Sequence, residues 1–94
     1  MNKRPDQEAE EMFFEAILTL RTKEECLAFF EDVCTVNELM AISQRFAVAR
    51  QLKEGKTYLE IAENTGASTA TISRVNRCLN YGSNGYNTVM DRLK

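Results

Sequence analysis

The 94-residue chain contains no histidine, and its three cysteines are widely spaced without a Cys-X-X-Cys pair. Zinc sites are built mainly from cysteine and histidine at short spacings, so no metal site is expected. Histidine is the commonest general acid–base, and the sequence offers neither paired carboxylates nor a cysteine beside a base in its place. We therefore predict no catalytic residue, no metal and no cofactor, and we interpret Cys26, Cys34 and Cys78 as small core residues.

Long apolar segments are also missing from the sequence. A membrane-spanning helix needs a run of about 18 or more apolar residues, and no segment approaches that length. The amino-terminal residues, MNKRPDQEAEEM, are too acidic and polar for a secretory signal peptide. The sequence therefore predicts no membrane association and a location in the cytoplasm.

Charge is distributed unevenly along the chain, although the net charge is only −2. Residues 1–34 carry four basic and nine acidic side chains, whereas residues 35–79 carry six basic and four acidic side chains. Such an asymmetry is expected when only one face of a protein approaches phosphate groups. The basic segment is therefore the candidate for contact with nucleic acid.

Helix start signals recur along the chain, whereas strand signals are weak. The pattern Thr-X-X-Glu, which forms a capping box in the first turn of a helix, begins at Thr22, Thr35 and Thr57, each time before an apolar run. Gly55 is expected to end the helix that begins after Thr35. The sequence therefore predicts an all-α fold.

The two ends of the chain carry weaker signals. A polar arm that contains Pro5 precedes a first apolar stripe made of Met12, Phe13, Ile17, Leu18 and Leu20. Near the carboxyl end, residues 80–87 (NYGSNGYN) are rich in glycine, asparagine and serine, which predicts a loop. The apolar residues that follow allow a last short helix over residues 86–94.

Residues 57–77, TYLEIAENTGASTATISRVNR, have the pattern of a helix-turn-helix. Ala62 allows close helix crossing, Gly66 can adopt the positive φ of the turn, and Ile72 fills the angle between the helices. Ser68 is a natural N-cap for the second helix. The remaining space between the helices is assigned to Ile61, Ala67 and Val75. An ordinary core hairpin is the alternative, but it would not need so polar a second helix.

Short polar side chains follow Ser68, at the start of the second helix, where a recognition helix meets base edges. Free backbone N–H groups at this helix start also favour a phosphate, and basic side chains lie nearby in the sequence. We therefore predict a binding site for double-stranded DNA. Its candidate residues are Lys53, Lys56, Ser68, Thr69, Ala70, Thr71, Ser73, Arg74 and Arg77.

Five phenylalanines lie within the first three predicted helices, at positions 13, 14, 29, 30 and 46. They present more aromatic surface than short helical hairpins can cover alone, and such surface often finds cover in a partner chain. A dimer would also bring two reading heads to one DNA site. The pattern favours a homodimer, with a closed monomeric core as the alternative.

From Thr35 to about Leu79 the sequence resembles the Trp repressor superfamily, and the whole chain is similar to its YerC/YecD branch. The match is carried by Thr35–Glu38, Gln44-Arg45, Leu52–Gly55, Gly66-Ala67 and above all Ala70–Arg74 (ATISR). The resemblance implies a Trp repressor-like helical domain, in which the amino-terminal helices of two chains interlock to form an intertwined homodimer that holds two reading heads.

We therefore predict one domain spanning residues 1–94. Residues 1–34 supply the dimerisation helices, 35–79 the helix-turn-helix reading head, and 80–94 a carboxyl-terminal loop and short helix. The predicted function is sequence-specific, DNA-binding transcription regulation, most simply as a dimeric repressor that reads a palindromic operator; an enzyme is not expected. The alternative is a protein-interaction module on a helix-turn-helix scaffold, because the tryptophan-binding family member has basic side chains where this chain has Leu59 and Ala62.

The resemblance also implies an effector site, since the repressor that gives the family its name binds tryptophan. The positions that match its tryptophan contacts are Thr35, Arg45 and Arg74. That repressor has a glycine at the position of Val75 and a serine at that of Cys78. A valine would occupy the space of the indole ring, so we expect that tryptophan is not the effector. We favour a surface ion pair for Arg45 and a phosphate contact for Arg74 over a shared effector site.

Overall fold

The computed structural model describes residues 4–93, and these residues form six α-helices and no β-strand. The helices are α1 (Pro5–Ile17), α2 (Lys23–Val33), α3 (Val36–Lys53), α4 (Tyr58–Thr65), α5 (Thr69–Tyr81) and α6 (Gly85–Arg92). The predicted all-α class is confirmed. In the described part of the chain, no helix is long and apolar enough to cross a membrane. The chain divides into two compact units, Met1–Val36 and Asn37–Lys94.

The polar arm that was expected before the first helix is itself helical from Pro5, and residues 1–3 lie outside the described range. A proline fits the first helical position, where its missing N–H would have had no partner within the helix. The Arg4 N–H donates a hydrogen bond to Gln7 Oε1 at 3.2 Å. Asp6 and Glu8 lie in the first turn, where negative charge is favourable. Helix-start chemistry, rather than an apolar stripe, therefore sets the beginning of α1.

In the first unit, α1 and α2 pack through phenylalanine side chains. The rings of Phe13 and Phe29 stack with centroids 5.8 Å apart, and Phe30 meets both rings edge-on. Thr22 is the N-cap of α2, since its Oγ1 accepts from the Glu25 N–H at 3.0 Å. The predicted capping box is incomplete, however, because Glu25 Oε1 accepts from the Arg21 N–H at 2.9 Å. No residue of α1 or α2 is fully buried. The unit thus has an aromatic contact but no closed core of its own.

The second unit has a small, fully apolar core. Its six buried residues come from α3, α4, α5 and the turn between the last two helices: Val48, Ala49, Ile61, Ala67, Ile72 and Val75. The four residues assigned to the interhelical space of the helix-turn-helix are all among them. Tyr86 and Met90 of α6 pack against this core, and Tyr86 stacks on Phe46 with centroids 6.5 Å apart.

The cysteines are not core residues, contrary to the sequence interpretation. Cys26 and Cys78 are exposed, Cys34 is half-buried, and all three are free thiols. On α5 the buried stripe runs through Ile72 and Val75, and Cys78 lies beside that stripe rather than within it. Small size and low polarity did not decide the position of these residues; the helical phase did.

The loop predicted over residues 80–87 is also wrong, because only residues 82–84 separate α5 from α6. Two of the polar side chains that suggested a loop donate hydrogen bonds to carbonyl groups near the end of α5 instead. Asn80 Nδ2 donates to the Asn76 carbonyl at 2.9 Å, and Asn87 Nδ2 donates to the Leu79 carbonyl at 3.2 Å. The last helix begins at Gly85, close to the expected position, and Lys94 lies outside the described residues.

Candidate functional site

The segment before the helix-turn-helix ends α3 at a fixed point. Gly55 has a φ of +82°, a left-handed conformation that glycine adopts without steric cost. The Gly55 N–H donates to the Leu52 carbonyl, and the Lys56 N–H donates to the Gln51 carbonyl, both at 3.1 Å. This pair of hydrogen bonds is a Schellman motif. The predicted stop at Gly55 is confirmed, and Lys53 and Lys56 lie on either side of it.

The first helix of the motif, α4, begins with the predicted capping box. The Glu60 N–H donates to Thr57 Oγ1 at 3.2 Å, and the Thr57 N–H donates to Glu60 Oε2 at 3.3 Å. Both bonds satisfy backbone donors that have no partner within a helix at its amino end. The helix then buries Ile61 completely.

The turn between α4 and α5 is held by glycine and by a threonine side chain. Gly66 has a φ of +75°, and its N–H donates to the Ala62 carbonyl at 2.9 Å. Thr65 Oγ1 donates to the Ile61 carbonyl at 2.7 Å and accepts from the Ala67 N–H at 3.1 Å. The predicted positive φ at Gly66 is confirmed, and the turn leads directly into the second helix.

The start of α5 presents short side chains to solvent. Ser68 Oγ accepts from the Thr71 N–H at 3.1 Å, so Ser68 is the N-cap that the sequence predicted. Thr69, Ala70 and Ser73 are exposed. Thr71 differs from them, because it is half-buried and its hydroxyl lies 3.1 Å from Ser68 Oγ. Three of the candidate side chains are thus open at this helix start, whereas the hydroxyl of Thr71 already has a partner.

The basic candidates differ in their electrostatic environment. Lys53, Arg74 and Arg77 are exposed and form no ion pair or side-chain hydrogen bond within residues 4–93. Lys56 Nζ lies 3.9 Å from Glu54 Oε2, and an exposed pair at this distance contributes little stability. Three guanidinium or ammonium groups in the reading head therefore have no anionic partner within the described chain.

The candidate effector residues lie in different units. Thr35 directly precedes α3 and belongs to the first unit, while Arg45 and Arg74 belong to the second. Arg45 is half-buried, and no ion pair to it occurs within the described part of the chain. Val75 is only 2% exposed and belongs to the apolar core. The valine that stands at the position of that repressor's glycine is therefore packed inside the protein.

Two side-chain hydrogen bonds that the sequence analysis did not predict join α3 to the motif. Gln44 Nε2 donates to the Thr65 carbonyl at 3.0 Å, and Asn64 Nδ2 donates to Gln51 Oε1 at 3.1 Å. The only available signal was that Gln44 belongs to the Gln44-Arg45 pair of the family resemblance. Both bonds connect residues of separate helices, so local sequence patterns do not reveal them.

Residues 8–94 match the Trp repressor protein family. The chain is 55% identical over 84 residues to the protein YerC of Bacillus subtilis (strain 168), covering 89% of this chain and 81% of YerC. A TrpR-like protein from Eubacterium eligens ATCC 27750 has a solved structure that is similar, with a TM-score of 0.89 and 62% identity over 92% of this chain and 89% of that one. A candidate Trp repressor from Staphylococcus aureus also has a TM-score of 0.89, with 46% identity over 98% of this chain and 95% of that one.

Proposed function

The chain belongs to the Trp repressor family of helix-turn-helix DNA-binding regulators, and on this premise we propose that it is a dimeric repressor that reads a palindromic operator. Members of this family are transcription regulators and not enzymes. A helix-turn-helix domain represses most simply by occupying a promoter. In this proposal the protein acts on chromosomal DNA in the cytoplasm.

The observation that carries the proposal is the chemistry at the start of α5. Thr69, Ala70 and Ser73 are exposed there, and small polar or apolar side chains of this kind contact base edges in the major groove. Arg74 and Arg77 are exposed on the same helix without anionic partners among the described residues. We assign base contacts to the first group and phosphate contacts to the two arginines.

The remaining candidate residues would bind phosphate groups or stabilise the start of α5. Lys53 and Lys56 stand at the end of α3 and would contact phosphate groups. Ser68 remains the N-cap of α5, and the free backbone N–H groups at this end of the helix would bind a DNA phosphate. Thr71 Oγ1 accepts a hydrogen bond from Ser68 Oγ, and in this proposal the O–H donor and the methyl group of Thr71 contribute to base reading.

The dimer is supported by the exposed apolar side chains of the first unit. Leu18 is 84% exposed and Phe14 is 54% exposed, and neither α1 nor α2 has a fully buried residue. Complete burial of one such side chain is worth about 1.5–3 kcal/mol, which leaves a strong driving force for a second copy to cover them. Two reading heads related by a two-fold axis then match an inverted repeat in DNA.

The protein-interaction module stays a second candidate because of one specific observation. Leu59 on the solvent side of α4 is 71% exposed, at a place where the tryptophan-binding repressor has a basic side chain. An apolar side chain there would suit docking on another protein. Affinity that falls steeply with salt favours DNA, since counterions are released from phosphates, whereas apolar docking has little salt dependence.

Tryptophan is not the effector in this proposal. Val75 packs in the core with Ile61 and Ile72, so the space that a glycine would leave for an indole ring is filled. A β-branched side chain on a helix has one strongly preferred χ1 rotamer and cannot easily swing aside. Any effector that contacts Thr35, Arg45 or Arg74 would have to bind without entering the volume that the Val75 side chain fills.

The proposal is tested by selecting fragments of genomic double-stranded DNA on the full chain, with and without a mixture of amino acids. The fragments should converge on an inverted repeat whose half-sites are about 10 base pairs apart, one helical turn of DNA. Failure to enrich any sequence, together with affinity that is insensitive to salt, would contradict the proposal and favour the protein-interaction module.

A further inference from the structure

Two glutamine side chains of α3 contact the last turn of α4. Gln44 Nε2 donates to the carbonyl oxygen of Thr65, and Gln51 Oε1 accepts from Asn64 Nδ2. Residues 44 and 51 are separated by nearly two helical turns, so both side chains lie on the same face of α3. The two contacts differ in direction, because Gln44 is a donor and Gln51 is an acceptor.

The Gln44 contact lies at a sensitive position in the motif. Carbonyl groups in the last turn of a helix have no partner within that helix, and the Thr65 carbonyl is one of them. Gly66, the next residue, begins the turn with its left-handed φ. Gln44 Nε2 is also the nearest atom to the place that a Cβ on Gly66 would occupy, at 3.9 Å. The side-chain amide of Gln44 thus contacts Thr65 and lies next to Gly66, the two residues that form the start of the turn.

The apolar core alone does not determine this arrangement. Val48 and Ala49 of α3 pack against Ile61 and Ile72, but apolar attraction is non-directional and tolerates small sliding movements. A hydrogen bond has a narrow range of distance and angle. The Gln44 amide therefore restricts how far the turn, and the helix that follows it, can shift along α3.

We propose that Gln44 is a positioning residue for DNA reading. Its amide fixes the turn from which α5 begins, and it acts through the Thr65 carbonyl without contacting DNA. This inference rests on the proposed DNA-binding function. A binding site whose side chains are misplaced by about 1 Å loses much of its affinity. Loss of this hydrogen bond should therefore weaken DNA binding while the core stays folded.

Gln44→Glu tests the inference through pH. An ionised carboxylate can only accept hydrogen bonds and repels the Thr65 carbonyl, whereas the protonated acid can donate to it again. The facing carbonyl and partial burial should raise the pKa of this glutamate above its ordinary value of about 4.3. We expect the affinity for DNA to be about ten-fold below wild type near pH 7.5 and to recover toward the wild-type value near pH 5.

Gln51→Glu is the matched control. It introduces the same charge on the same helix and nearer in the chain to the proposed phosphate contact Lys53, so general repulsion of DNA should be at least as large in the control. Because Gln51 is an acceptor, its carboxylate can still accept from Asn64 Nδ2. We expect this variant to bind close to wild type, so the ratio of the two affinities isolates the Gln44 contact. The chain has no histidine, which removes the residue that ordinarily titrates between these pH values.

The probe is the set of double-stranded fragments that wild type selects, and circular dichroism at the assay temperature checks that each variant is folded. Equal affinities of Gln44→Glu and Gln51→Glu at neutral pH would overturn the inference alone. A wild-type chain that selects no fragment would overturn the proposed function and the inference with it. If Gln44→Glu does not fold, Gln44→Met should bind about ten-fold more weakly at every pH, and wild-type affinity in that variant would refute the inference.

Discussion

Gly66→Ala should destabilise the protein by about 1 kcal/mol, and the structure allows this cost to be divided into its parts. The φ of +75° is a left-handed conformation that costs a residue with a Cβ roughly 1–2 kcal/mol. Alanine also reduces the freedom of the unfolded chain, which offsets about 0.4–1 kcal/mol. The nearest atom to the new Cβ is Gln44 Nε2 at 3.9 Å, an ordinary van der Waals contact that adds no clash.

Urea unfolding followed by circular dichroism measures this free energy of unfolding, at one fixed chain concentration because the stability of a dimer depends on it. Gly66→Asn is the control, since asparagine tolerates the left-handed region better than alanine and should lose less. A midpoint for Gly66→Ala above that of wild type would refute the left-handed turn. A loss of several kcal/mol would refute the open space around Gly66.

Three further predictions follow from the proposed dimer, reading head and core. Leu18→Glu should shift the sedimenting species toward the monomer mass because it places a charge in the proposed dimer interface. Leu59→Glu on α4 is the control and should sediment as a dimer. A dimer in both variants would contradict the assignment of Leu18 to the interface. Arg77→Ala should weaken binding to all DNA sequences and lower the salt slope by about 1, whereas Ser73→Ala should cost about 1–3 kcal/mol of discrimination at one base position. Calorimetry should detect no tryptophan binding to wild type and weak binding to a folded Val75→Gly variant. Tight binding to the unaltered chain would show that the filled core does not exclude tryptophan.

The helix boundaries around the helix-turn-helix were predictable because their causes are local. Thr57 and Glu60 are three residues apart, and the two hydrogen bonds of their capping box need nothing else in the chain. The same holds for Ser68, whose cap bond reaches only to Thr71. Gly66 was identifiable because few other residues tolerate a positive φ.

Features that depend on distant residues were not predictable. The bond from Gln44 to the Thr65 carbonyl links two helices, and its existence depends on how α3 packs on α4. The exposure of Cys78 depends on which stripe of α5 faces the core. The short turn between α5 and α6 was predicted to be a long loop because residues 80–87 are rich in glycine, asparagine and serine. The Asn87 side chain, however, donates a hydrogen bond across this turn to the Leu79 carbonyl.

The central claim is that two copies of this chain read one operator through paired helix-turn-helix motifs. The most direct test is sedimentation of the wild-type protein with its selected DNA fragment, repeated over a series of salt concentrations and with a fragment that carries only one half-site. We expect two chains on the inverted repeat, much weaker binding to the single half-site, and an affinity that falls steeply with salt. One chain per fragment, equal affinity for the half-site, or affinity independent of salt would contradict it.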